Sequence, residues 1–179
     1  ASFEVLACAI FDAMYGGWTM DAQVRAQISQ YAENVYFGKP SGLMDQMASS
    51  VGGLTFMDFK DDQAKIIELP YDFASKDMAL VVVNTGGSHD DLTPLYASIP
   101  QEMRAVAALF GDKNLRRVRA EQFFQLIPKL RHELKCEHPD RAILRAAHFF
   151  EENCRVMDQV EALQRDDLPA FLEKVIESG

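Results

Sequence analysis

The stretch Glu33-Asn34-Val35-Tyr36-Phe37-Gly38-Lys39-Pro40-Ser41-Gly42-Leu43-Met44-Asp45-Gln46 decides how this chain is read. Within it, Gly38 and Pro40 end the helix that enters the stretch, since glycine accepts a left-handed closing turn and proline cannot continue the ladder. Ser41 then offers an N-cap for a short helix over residues 42–50, which Gly52-Gly53 stops. Leu43 and Met47 are four apart and share the inward face, so Asp45 lies about 200° round the helix from Leu43, on the open side. An acid in a first helical turn commonly does no more than complement the helix dipole. Beside a close backbone approach at Gly42, the same carboxylate can take a proton from a ligand hydroxyl. Glu33 falls roughly 180° from the apolar stripe of its own helix. It reads as part of a solvated face, or as a carboxylate at a cleft wall that can hold a hard divalent cation.

Outward from this stretch the pattern is mixed. Leu6, Ile10, Phe11 and Met14 recur at helical spacing over residues 3–15, and Gly16-Gly17 ends that run. Thr19 or Asp21 can cap the next helix, whose apolar stripe is Val24, Ile28, Tyr31 and Val35. Downstream, residues 54–59 and 65–69 read as two strands joined by the polar turn 60–63, a hairpin. Residues 79–84 form an unbroken β-branched apolar run, expected to be a buried central strand. Beyond Gly86-Gly87 only helices are expected, broken at Pro100, Gly111, Pro128, Pro139 and Pro169. The longest, over residues 140–165, places Ile143, Ala147, Phe150, Cys154 and Met157 on one face. The fold class is therefore α+β, with a boundary near residue 86.

Composition narrows the function. Apolar types make up 48 % and charged types 25 % of 179 residues, which excludes wholesale disorder. Eighteen basic against 27 acidic side chains leave a formal −9, with no long basic run. That balance argues against a nucleic-acid groove or an anionic membrane surface. A phosphate ligand stays open, because one magnesium ion and a few helix-end amides neutralise it locally. Cys8, Cys136 and Cys154 give no disulfide framework, so a reducing cytoplasm is expected. Cys8 and Cys154 fall on apolar faces and read as core filler. Cys136, His132 and His138 lack a fourth ligand at zinc spacing. The loop 84–91 follows a strand but has neither the spacing nor the lysine of a P-loop. Tyr96, on the helix after it, suits core packing or a ligand contact through its ring and hydroxyl. The chain opens inside a helical pattern without an initiator Met, which reads as part of a longer polypeptide.

Several of these motifs together resemble one family. Ala1-Ser2-Phe3-Glu4-Val5-Leu6 is similar to the end of the phosphate-loop motif of the GHMP kinase superfamily. Ala32-Glu33-Asn34 with Pro40-Ser41-Gly42-Leu43-Met44-Asp45-Gln46 resembles two galactokinase motifs, and the second separates sugar kinases from the rest of the superfamily. The strand end Val82-Val83-Asn84-Thr85, the spacing to Tyr96, and Asp166-Asp167-Leu168-Pro169-Ala170-Phe171 also fit. The resemblance implies a two-domain GHMP-kinase-like α+β fold, with residues 1–86 as the remainder of the N-terminal domain and 87–179 as the helical part of the C-terminal one. It implies phosphorylation of the anomeric C1 hydroxyl of galactose, with ATP as co-substrate and Mg2+ as cofactor. Asp45 would be the catalytic acid–base residue, Gly42 and Tyr96 would contact the sugar, Ser2 the nucleotide, and Glu33 the magnesium. The family's sugar-clamping Glu-His-x-Asp motif, most of its phosphate loop and its C-terminal Gly-rich motif are not found, so this stretch alone is expected to be inactive. Ser41 stands where the family usually has Cys, and Ser98-Ile99-Pro100-Gln101 where it often has paired Arg. The same resemblance admits a non-catalytic sugar and ATP sensor, or another GHMP sugar kinase.

Overall fold

A computed structural model describes residues 1–61, 63–84, 86 and 93–179. The chain divides into two compact units, Ala1–Tyr71 and Asp72–Gly179. The junction expected near residue 86 and most of the loop 84–91 lie outside the described residues. The architecture is helical with one two-stranded antiparallel sheet, which agrees with a partial α+β chain.

In the first unit, α1 (Ser2–Phe11) runs into a π-turn at Asp12–Gly16, and α2 (Ala22–Tyr31) into another at Ala32–Tyr36. Asp21 caps α2, its Oδ1 accepting from the Val24 amide at 2.9 Å. Next come α3 (Met44–Val51) and the hairpin β1 (Thr55–Asp58) and β2 (Lys65–Glu68), paired from Thr55 with Glu68 to Asp58 with Lys65. The core is small: Ala26, Met47 and Ala64 are buried, with Leu43, Val51, Met57 and Ile66 packed on them.

Both amphipathic helices present their apolar stripes outward. Leu6, Ile10, Phe11 and Met14 on the first, and Val24, Ile28, Tyr31 and Val35 on the second, are all exposed. Val5, Ala26 and Ser29 are buried instead. The reason is steric: the faces that meet α3 carry small residues, which allow close helix approach, and no described element covers the bulky stripe.

The bend from α1 to α2 turns on Asp12, which is buried and accepts from the amides of Thr19 at 3.3 Å and Met20 at 3.0 Å. Gly17 takes φ +68, where a Cβ would be strained, and Arg25 lies 5.9 Å over the Trp18 ring. Asp12→Ala leaves those two amides without their charged acceptor, and should destabilise the first unit by about 2 kcal/mol in denaturant titration. An unchanged midpoint would show that water replaces the carboxylate at no cost.

The apolar run 79–84 is a correction. It joins no sheet, and Leu80, Val81, Val82 and Val83 are 74–96 % exposed. β-branched composition favours extended backbone, but a central strand needs neighbours to pair with, and no described strand lies beside this run.

The second unit holds α4 (Thr93–Ala108), α5 (Ala120–Glu133), α6 (Pro139–Gln164) and α7 (Leu168–Ser178). Pro100 and Pro128 sit inside α4 and α5 rather than breaking them, while Pro139 and Pro169 occupy first-turn positions of α6 and α7. Tertiary packing retains those two turns despite the lost backbone donor. Phe123, Val106, Ile143, Ala146 and Phe150 are buried together in the core. Cys154 and Met157, expected on the packed face of α6, are exposed, because only the first half of that face meets the core cluster. Among the described residues, no helix is long and apolar enough to cross a membrane.

Candidate active site

Asp45 occupies the first turn of α3, exposed, with Met47 of the same helix fully buried beneath it. The split follows the spacing, since Leu43 and Met47 share the core face and Asp45 falls on the other. Among the described residues Asp45 makes no hydrogen bond or ion pair. Gly42 is exposed just before it, and a Cβ there would meet nothing within 4 Å.

Ser41 does not cap α3. Leu43 takes the N-cap position without a side-chain bond, and Ser41 is held from the other side. Its amide donates to Asn34 Oδ1 at 2.8 Å and its hydroxyl to the same oxygen at 2.9 Å. Its carbonyl accepts from Gln30 Nε2 at 3.1 Å and Asn34 Nδ2 at 3.3 Å. The hydroxyl is therefore turned away from the helix amides that a cap would serve.

Glu33 lies in the π-turn after α2, only 9 % exposed, so it is neither a solvated face nor an open wall. With the apolar stripe of α2 turned outward, the opposite side faces α3. Gln46, 1 % exposed and next in sequence to Asp45, donates from Nε2 to Glu33 Oε2 at 2.7 Å. The other carboxylate oxygen lies 3.4 Å from Nζ of the exposed Lys39. One buried carboxylate thus has an amide on its inner oxygen and an exposed ammonium on its outer one. Among the described residues, no three His, Cys, Asp or Glu side chains gather as a metal cage. Glu33 alone still fits magnesium, which is commonly held by one or two carboxylates together with substrate phosphates and water.

The remaining predicted residues are dispersed. Ser2 begins α1 and is exposed; Tyr96 lies on α4 of the second unit, also exposed. A cavity of about 620 Å³ in the first unit runs between α1 and α2, lined by Phe3, Phe11, Tyr15, Ile28 and Phe37, with Asp12 at its edge. Neither Ser2, Glu33, Gly42 nor Asp45 lines it. It is the hollow of the uncovered apolar stripe. Sequence reading missed Asn34, Gln46 and Lys39, although each directly adjoins or closely follows a singled-out carboxylate.

The arrangement, an exposed carboxylate at a helix start with a second, buried carboxylate tethered to the next residue, suits a ligand hydroxyl beside a cation or phosphate. Comparison with known proteins defines the class more closely. No family model matches the chain. It is 36 % identical to a galactokinase of Haemophilus influenzae over 153 residues, 84 % of this chain and 37 % of that protein. A galactokinase of Actinobacillus succinogenes is 34 % identical over 171 residues, 94 % of this chain and 42 % of the relative. One from Actinobacillus pleuropneumoniae is 33 % identical over 146 residues, 80 % of this chain and 35 % of the relative. The chain is a galactokinase-family sequence over the part it spans, and it spans 35–42 % of the length of these relatives.

Proposed function

We propose that the polypeptide carrying this chain is an ATP- and magnesium-dependent kinase that phosphorylates the C1 hydroxyl of galactose. The observation that carries the reading is the tether between Glu33 and Gln46, which ties one carboxylate to the helix that starts with the other. The galactokinase matches, which extend over 80–94 % of the chain, supply the substrate.

Phosphoryl transfer passes through a loose transition state, so positioning and charge neutralisation carry most of the rate. In this account Asp45 accepts the proton from the sugar C1 hydroxyl as that oxygen bonds to the γ-phosphorus. The bond from the γ-phosphorus to the bridging oxygen breaks, and ADP leaves with the electron pair. Exposure, with no competing ion pair among the described residues, leaves the Asp45 carboxylate available for that proton. Gly42 would let the sugar approach the backbone, and Ser2 would face the nucleotide. Glu33 would hold magnesium through Oε1, on the side now taken by Lys39. The ion, when bound, neutralises phosphate charge. A GHMP-type two-domain fold, with residues 1–86 and 87–179 in its two domains, belongs to the same reading. So does a cytoplasmic setting, supported by three free cysteines.

Glu33→Gln keeps the hydrogen bond from Gln46 but removes the charge, and should raise the magnesium needed for half-activation by about ten- to hundredfold. An unchanged magnesium requirement would take Glu33 out of the metal's coordination. The reading as a whole is tested with a panel of hexoses at matched ATP, following ADP release by the longest polypeptide its gene encodes. Galactose should lead the panel. Saturable galactose and ATP binding without ADP release would support a sensor instead, and preference for a different sugar would support another kinase of the superfamily.

A further inference from the structure

We propose that Asn34 and Ser41 are positioning residues for the two candidate carboxylates, with Ser41 as the joint between them; this rests on the kinase reading above. Every polar group of Ser41 is occupied by a side chain from elsewhere in the first unit. Asn34 grips it on three sides, accepting from its amide and hydroxyl and donating to its carbonyl. Gln30 donates to the same carbonyl. The Ser41 hydroxyl in turn accepts a long bond from Gln46 Nε2, at 3.4 Å, and that nitrogen also donates to Glu33 Oε2. A continuous path therefore runs Asn34, Ser41, Gln46, Glu33, and it encloses the corner from which Gly42 and Asp45 project.

Two features separate this from ordinary loop packing. First, α3 starts without a side-chain cap, at Leu43, and the hydroxyl of Ser41 two residues earlier is committed to Asn34 instead of to a helix amide. Second, among the described residues the buried Gln46 Oε1 has no hydrogen-bond partner, because the amide is oriented so that its donor meets the Glu33 carboxylate. The reverse orientation would set Oε1 against that carboxylate. An unmet buried acceptor is a cost that folded proteins rarely carry, and it is tolerated where neighbouring groups must be held. Here the group held is Glu33, and the residue holding it follows Asp45.

Supporting residues of this kind, when removed, typically cost about ten- to hundredfold in activity or metal affinity. The test compares Asn34→Ala, Ser41→Ala and Ser41→Thr in the longest polypeptide the gene encodes. Asn34→Ala and Ser41→Ala should lower kcat about ten- to hundredfold, with the sugar KM within about threefold. Ser41→Thr keeps the hydroxyl and should restore at least half of the lost kcat. In the wild-type protein the Ser41 amide should exchange slowly with deuterium, and Asn34→Ala should release it. Wild-type kcat in both alanine variants, while Asp45→Asn is inactive, overturns this inference alone. Equal loss in Ser41→Thr and Ser41→Ala overturns it too, since bulk rather than the hydroxyl would then matter. A wild-type protein that phosphorylates no sugar overturns the reading beneath it.

Discussion

Asp45→Asn, in the longest polypeptide the gene encodes, is expected to lower galactose turnover by about 10²- to 10⁴-fold, the usual contribution of a positioned proton acceptor. Sugar affinity should stay within a few-fold, because the amide matches the carboxylate in size and still accepts a hydrogen bond from the C1 hydroxyl. Folding should be untouched. Asp45 is exposed and makes no bond that the variant would break, and the residues that fix α3 from beneath are Met47 and Leu43. That separation makes the variant informative, since a loss of rate cannot be traced to a loss of structure. Steady-state kinetics with direct sugar titration give the answer. Near-wild-type kcat would mean that the phosphoryl acceptor loses its proton to water or to another group, and Asp45 would be a dipole-complementing acid.

The second large effect is on stability. Glu102, on α4 and 7 % exposed, accepts from Arg141 Nε at 3.0 Å and from Arg145 Nη1 at 2.7 Å, and Arg145 also donates to Ser98 Oγ at 3.0 Å. Four polar side chains, Ser98 and Glu102 on α4 with Arg141 and Arg145 on α6, thereby lock the two helices together. Glu102→Ala strands two guanidinium groups at that seam and should cost about 3 kcal/mol, the lower end for a broken buried pair because both arginines keep some contact with water. The melting temperature of the second unit should fall on the order of 10 °C or more. Glu102→Gln should cost less, as it still accepts.

pH provides an independent check on Glu102. The Arg141 hydrogen bond, outweighing burial, holds the Glu102 carboxyl below its ordinary range. A depressed folded value means stability that is fully present above the unfolded value, about 4.3, and lost as pH falls below it toward the folded one. The wild type should therefore lose more stability than Glu102→Gln on acidification from about pH 6 to pH 3. Parallel loss in both proteins would contradict the assignment.

Legibility in the sequence varied with how local the determinants were. The hairpin was readable because two strand-forming runs and the polar turn between them set it within 14 residues, 55–68. The inward and outward sides of α3 were readable from two apolar residues four apart. Helix orientation in α1 and α2 was not, since a stripe of Leu, Ile, Phe and Tyr states only which side is apolar. What covers that stripe is a tertiary fact, and here small residues face α3 instead. The strand at 79–84 failed for the same reason, as β-branched residues supply the preference and a partner strand supplies the sheet. At the site, Asp45 and Glu33 were marked by motif, but their mutual support was hidden. The partners of Ser41 lie 5, 7 and 11 positions away, across a turn. No periodicity connects Asn34 to Ser41 or Glu33 to Gln46. Only coordinates place a hydroxyl that looked like a helix cap into the grip of an asparagine.

Phosphorus-coupled proton spectra of the reaction product bear most directly on the account. With galactose, ATP and magnesium, the longest polypeptide from this gene should place the new phosphate on the anomeric carbon, one ADP released for each sugar consumed. Phosphate appearing on the C6 hydroxyl, or galactose recovered unmodified from a protein that binds it, would contradict it.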